Sequence, residues 1–283
     1  MPVVYLNGRF IAAEDAKVSV LDRGYLFGDG IYEVIPVYQS KPFLLQGHLA
    51  RLQRSLDGIA LNNPLDNVSW ETLINDLVSQ NGGGDQSVYL QITRGAAAKR
   101  DHIFPQAVSA GIFIMSNPLH SVPVEWHQQG IQCITVDDIR WQRCDIKAIA
   151  LLANCLMKQR AEEAGAQEAL LLRDGKLTEG AASNAYVVLD GEIITAPSGP
   201  EILSGITRDL ILELAEQADC KVQQRFASKA ELRGADEIWI SSSTKELVPV
   251  TLLDGNPVGT GQPGPIWQDL HQRFQQYKSE VLA

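Results

Sequence analysis

Arg140-Trp-Gln-Arg-Cys-Asp-Ile-Lys147 runs into the apolar stretch Ala148-Ile-Ala-Leu-Leu-Ala-Asn-Cys-Leu156, so one lysine stands where a polar strand end meets a hydrophobic helix. A helix dipole and apolar neighbours both disfavour an ammonium, and a lowered pKa yields the free amine that attacks a carbonyl carbon. Lys147 is therefore a candidate Schiff-base lysine. A lone lysine in such a place is more often a solvated side chain snorkelling off a helix start. Three further segments tell against that reading here.

Thr178-Glu-Gly-Ala-Ala-Ser-Asn184 follows a hairpin over 170–177, whose Asp174-Gly175 suits a two-residue turn. A carboxylate at Glu179, held on a turn by Gly180, can pair with a protonated pyridine nitrogen. Ile202-Leu-Ser-Gly-Ile-Thr-Arg-Asp209 sets Ser204 and Gly205 ahead of the amphipathic run Leu210-Ile-Leu-Glu-Leu-Ala215. Small residues before a helix leave its first N–H groups open to a phosphate. Ser241-Ser-Ser-Thr244 ends the apolar strand Glu237-Ile-Trp-Ile240 in hydroxyls. An amine, a ring-nitrogen partner and a phosphate cradle are the parts of a pyridoxal 5'-phosphate site.

In this order the segments resemble the fold-type IV pyridoxal-phosphate enzymes, and most of all their D-amino-acid transaminases. The likeness starts at Asp22-Arg-Gly-Tyr-Leu-Phe-Gly-Asp-Gly-Ile-Tyr-Glu33, continues through His48-Leu-Ala-Arg-Leu52, Thr93-Arg-Gly95 and the Lys147 segment, and ends at Thr244-Lys-Glu-Leu-Val-Pro-Val250. It implies a mixed α/β architecture of two domains. It also implies that Lys147 carries the cofactor as a Schiff base, that Glu179 pairs with the ring nitrogen, and that Leu203 packs on the ring face. Arg51, Gly205, Ile206, Thr207 and Ser243 would hold the phosphate. This sequence departs from the pattern at Ala181 and Ala182, where relatives often carry hydroxyl residues, and at Ser242-Ser243, where a threonine is common.

Two features bear on the substrate. Tyr32 follows the glycine-rich bend Gly28-Asp-Gly-Ile31, and Arg100-Asp-His102 lies in a loop opening at Arg94-Gly-Ala-Ala-Ala-Lys99. A guanidinium and an imidazole two residues apart among small residues make a plausible carboxylate trap. The resemblance implies that Arg100 and His102, reaching in from a neighbouring subunit of a homodimer, bind the substrate α-carboxylate together with Tyr32. The implied activity is transfer of an amino group from a D-amino acid to a 2-oxo acid such as 2-oxoglutarate or pyruvate. A branched-chain L-amino-acid aminotransferase, an aminodeoxychorismate lyase and a non-catalytic pyridoxal-phosphate carrier share the cofactor residues and remain alternatives.

Composition is compatible with this. The 283 residues carry 34 acidic and 24 basic side chains, a net charge of -10, which argues against a nucleic-acid partner. Cys133, Cys144, Cys155 and Cys220 lack metal-ligand spacing and read as reduced thiols of a cytoplasmic protein. Met1-Pro-Val-Val-Tyr-Leu-Asn-Gly8 reads as a strand entering a turn rather than a signal peptide, and no run is long enough to span a bilayer. Leu49, Leu52, Leu56 and Ile59 make one helical stripe over about 47–59, and a second helix is expected over about 70–78. Strands follow at Val88 to Thr93 and Gly111 to Met115, and a helix near Trp267 to Tyr277 closes the chain. Asn117-Pro-Leu-His-Ser-Val-Pro-Val124, with two prolines and no periodicity, is the best linker candidate. The expected organisation is a smaller N-terminal domain over 1–118, a linker over 119–130 and a larger cofactor-binding domain over 131–283.

Overall fold

The computed structural model describes residues 2–283. The described residues form two compact units, one running to His120 and including Ile146–Leu151, the other Ser121–Asp145 with Leu152–Ala283. Among the described residues, no helix is long and apolar enough to cross a membrane.

The first unit contains β1 (Val3–Leu6), β2 (Arg9–Ala12), α1 (Arg23–Phe27), β3 (Gly30–Tyr38), β4 (Lys41–Pro42), α2 (Leu45–Gly58), α3 (Asn67–Gln80), β5 (Gln86–Thr93) and β6 (Gly111–Pro118). Its sheet has the order β2-β1-β6-β5-β3-β4 and every pairing is antiparallel. Ile31, Ile35 and Val37 of β3 are buried with Leu49, Leu52 and Leu56 of α2 and Trp70, Ile74 and Leu77 of α3 in one core. The helical stripe expected from sequence is thus the face α2 buries, with Ile59 partly buried just past its end. α3 begins three residues before Trp70 because the Asp66 side chain caps it, accepting from Ser69 N at 2.7 Å.

The second unit contains α4 (Val124–Gln129), β7 (Ile131–Asp137), α5 (Leu152–Glu163), β8 (Glu168–Arg173), β9 (Lys176–Gly180), β10 (Asn184–Leu189), β11 (Glu192–Thr195), α6 (Ile206–Gln217), β12 (Val222–Gln224), α7 (Lys229–Arg233), β13 (Glu237–Ser242), β14 (Glu246–Leu253), β15 (Asn256–Pro257) and α8 (Pro265–Leu282). Its sheet runs β12-β11-β10-β13-β14-β7-β8-β9, with β15 paired to β14. β7 lies parallel to both β14 and β8, and β11 is parallel to β12; the other pairings are antiparallel. β8 and β10 are buried along nearly their whole length, which explains their unbroken apolar runs.

The Lys147 segment corrects one expectation. The helix starts at Leu152, so Lys147 does not sit at a helix N-terminus and the dipole argument does not apply. Nor is the helix buried along its apolar run, since Leu152 and Leu156 are 74% and 51% exposed. Residues 146–151 instead run beside β3 in the first unit: Lys147 O accepts from Tyr32 N at 2.9 Å and Ile149 N donates to Gly30 O at 3.1 Å. Ile146 and Ala148 enter the first unit's core, so alternation leaves Lys147 directed away from it.

Candidate active site

The candidate residues fall into two groups, one in each unit. In the first, the backbone of Lys147 is fixed by Tyr32 and by Ser55, whose Oγ accepts from Lys147 N at 3.2 Å. Lys147 Nζ lies 4.1 Å from the centre of the Tyr32 ring. Tyr32 stacks in turn on Tyr89 at 5.7 Å, so the two expected ligand-contacting side chains are brought together and supported from behind.

Strand alternation puts Glu33 on the face of β3 opposite Tyr32, against α2. There Arg51 donates to it twice, from Nε at 2.7 Å and Nη2 at 2.8 Å, and His48 Nδ1 lies 2.8 Å from Oε2. All three are buried. The Arg51 and His48 contacts hold the Glu33 carboxyl well below the usual range against the opposing effect of burial, and burial keeps His48 below its ordinary value. Arg51, the expected phosphate ligand, is thereby clamped in one orientation.

Arg100 and His102 lie together on an exposed loop of the first unit. Both meet Phe27: the His102 ring at 5.2 Å and the Arg100 guanidinium carbon at 4.8 Å. Exposed apolar residues accompany them, Ile103 at 77%, Phe104 at 51%, Tyr25 at 76% and Val20 at 69%.

In the second unit Glu179 is the centre. Its carboxylate accepts from Leu203 N at 3.1 Å, from Asn184 Nδ2 at 3.0 Å and from Arg140 Nη1. Arg140 is divided, since its Nε and Nη2 also donate to Asp138 at 2.9 Å each. Burial outweighs the Arg140 interaction and the Leu203 N–H, and Asp138 adds like-charge repulsion, so Glu179 is pushed up to about 7. Glu179 and Leu203 are thus brought together by a direct hydrogen bond. None of these three donors comes from residue 181 or 182.

Asn184 links this carboxylate to the expected phosphate cradle. Its Nδ2 also donates to Leu203 O at 2.8 Å, and it lies opposite Ser241 in the β10–β13 ladder. A Cβ at residue 205 would stand 2.0 Å from Asn184 Oδ1, so only glycine allows this approach. Gly205 begins the 12-residue α6 without a side-chain cap, and Ile206 and Thr207, the first helical residues, are buried with it. Ser243 lies on the turn between β13 and β14. An uncapped helix start and a fixed buried carboxylate fit the phosphate and ring nitrogen of pyridoxal 5'-phosphate.

Sequence reasoning assigned no role to Arg140, Asn184, Glu33 or Ser55. Glu33 had a visible signal, a carboxylate at the buried parity of an otherwise apolar strand. Arg140 and Asn184 stand close in sequence to Asp138 and Glu179 respectively, but their joint convergence on Glu179 with Leu203 N is fixed by tertiary structure.

The family model described as amino-transferase class IV matches residues 30–253. The chain is 40% identical over 272 residues to D-alanine aminotransferase of Bacillus licheniformis, covering 96% of this chain and 95% of that protein. It is 41% identical over 280 residues to D-alanine aminotransferase of Staphylococcus aureus strain MW2, covering 98% of each. The crystal structure of the branched-chain amino acid aminotransferase of Escherichia coli superposes with a TM-score of 0.91 at 27% identity, covering 97% of this chain and 94% of that one. With its two mixed α/β units, its buried Glu179 and its sheet-supported Lys147, the chain belongs to the class IV aminotransferase family.

Proposed function

We propose that this aminotransferase moves the amino group of a D-amino acid to a 2-oxo acid, 2-oxoglutarate or pyruvate, with pyridoxal 5'-phosphate as cofactor, in a cytoplasmic homodimer. The observation that carries the substrate reading is the 40–41% identity to D-alanine aminotransferases over nearly the full chain, against 27% for the branched-chain enzyme. The Arg100-x-His102 pair on one exposed loop supports it. The four cysteines, all free, agree with a reducing compartment.

When bound, the cofactor supplies the aldehyde that receives the amine and the ring that takes up electrons. Lys147 Nζ would hold the cofactor through its aldehyde carbon and would move the proton at the substrate Cα. Glu179 would keep a proton at the ring nitrogen. Leu203 would pack on the ring, while Arg51, the amides of Ile206 and Thr207, Gly205 and the Ser243 hydroxyl would bind the phosphate. Arg100 and His102 serve the neighbouring subunit, binding the substrate α-carboxylate there with Tyr32. The exposed apolar residues beside their loop suit burial against a second copy.

A panel of D- and L-amino acids with 2-oxoglutarate and with pyruvate tests this reading. D-amino acids, D-alanine among them, are expected to turn over, and preference for L-leucine over every D-amino acid would instead establish the branched-chain reading. Heterodimers of Arg100→Ala with Lys147→Ala chains should regain one working site from two impaired parents. Failure in confirmed heterodimers overturns the sharing of the loop.

A further inference from the structure

We infer that Arg23 is a positioning residue that presets the carboxylate trap by holding the backbone of the loop that presents Arg100 and His102. The inference rests on the reading of those two residues as binding the substrate carboxylate. Arg23 itself reaches no substrate: its side chain is 4% exposed, and its guanidinium points at main-chain oxygens. It donates from Nη1 to the carbonyls of Asp101 and Ile103 and from Nη2 to that of His102 at 3.3 Å. Three successive carbonyls converge on one cation, so the chain from 101 to 103 curls around it.

The distribution of charge explains why the donors go there. A buried guanidinium must have its N–H groups satisfied. Asp29 is one carboxylate shared between two guanidiniums, Arg23 Nε at 2.7 Å and Arg94 Nε at 2.9 Å. The remaining donors of each turn to carbonyls. Those of Arg94 take Ala60 at 3.1 Å and Ile59 at 2.6 Å, which fixes it to the end of α2, and those of Arg23 take the trap loop. Arg94 also stands 3.6 Å over the Phe104 ring and holds the far end of the loop. Phe27 forms the floor on which Arg23, Arg100 and His102 all rest, the two guanidinium carbons at 4.8 Å each.

Arg23 cannot recoil. A Cβ at residue 24 would lie 2.3 Å from Thr93 Cγ2, so glycine there lets α1 sit directly on the end of β5. Asp22 caps α1 through Gly24 N at 2.8 Å and binds Thr93 Oγ1 at 3.0 Å. The consequence is a loop with exposed, functional side chains and an internally anchored backbone. Substrate then binds without first ordering the segment, which preserves affinity.

The test uses the holoenzyme with Arg23→Gln and Arg23→Lys. The lysine variant keeps a cation beside Asp29, so folding is retained, but one ammonium cannot fork to three carbonyls. Both should raise KM for D-alanine about tenfold while kcat stays within about twofold, as expected for displaced binding groups rather than altered chemistry. The absorbance of the bound cofactor should be unchanged and hydrogen exchange over 97–104 should accelerate. Wild-type KM in both variants overturns the inference, as does a raised KM with wild-type loop exchange, or a fall in kcat with altered cofactor absorbance. Arg100→Ala separates the two levels. If it raises KM and the Arg23 variants do not, the trap stands and only the task of Arg23 is overturned. If Arg100→Ala leaves KM unchanged, the trap reading falls and the inference with it.

Discussion

Each unit buries a carboxylate against an arginine, yet the two carboxylates behave in opposite ways. Glu33 receives both forks of Arg51 and a contact from His48, and the cations outweigh burial. Glu179 receives one arm of Arg140, whose other arms belong to Asp138, and burial prevails. Asp138 is drawn upon further by Arg173 at 3.0 Å and by the Thr178 hydroxyl at 3.0 Å, so it is tied in place as a negative charge beside Glu179. Two donors from one guanidinium with an imidazole beside them make a permanent anion, suited to fixing Arg51. A shared guanidinium leaves a carboxylate that holds its proton near neutrality, suited to sharing a proton with a ring nitrogen.

The largest expected effect comes from removing each charge. Glu179→Gln should keep the fold and the cofactor but lower kcat about 10²–10³-fold, because an amide does not stabilise a protonated ring nitrogen. Glu33→Gln should instead destabilise the protein by about 3–5 kcal/mol, since it leaves Arg51 buried without its anion. Steady-state rates of cofactor-loaded protein and urea denaturation measure the two. If the effects are exchanged, the division into a functional and a structural carboxylate is wrong.

A second prediction sharpens the role of sharing. Asp138→Asn removes the like charge and the carboxylate that competes with Glu179 for Arg140, so both changes favour the ionised form. The pH at which Glu179 titrates, read from its carboxylate infrared band in the cofactor-free protein, should fall by about one unit. An upward shift, or none, would leave burial as the sole cause of the raised value.

How far the sequence revealed these clusters follows from the same physics. Local rules were legible. The Asn7-Gly8 and Asp174-Gly175 turns each have both residues at positive φ, as tight hairpins require, and the α2 stripe is the buried face. Lys147 was found through its neighbours in sequence, but its support was misread, because the bridge to β3 joins residues far apart in the chain. Arg51 was assigned to the phosphate while Glu33, which fixes it, passed without a role. Whether an arginine serves one carboxylate or two depends on which side chains meet in space. Asp138 lies two residues from Arg140, but no spacing along the chain brings Glu179 of β9 to the same guanidinium.

The most direct discriminator is pH, because the two carboxylates affect stability in different pH windows. Glu33 lies below its ordinary value when folded, so its contribution is present above about pH 4.5 and is lost as pH falls further. Glu179 lies above its ordinary value of 4.5, at about 7, so the sign reverses: its contribution is full below about pH 4.5 and is lost as pH rises through 7. Between pH 5 and 8 Glu33 is ionised in both folded and unfolded chains and contributes no slope. Over that interval wild-type cofactor-free protein should lose up to about 3 kcal/mol through Glu179, and Glu179→Gln should lack that loss. Denaturation curves at pH 5, 6, 7 and 8 for the two proteins decide the matter. Parallel pH dependence would mean that Glu179 is ionised throughout, and that the two buried carboxylates are of one kind after all.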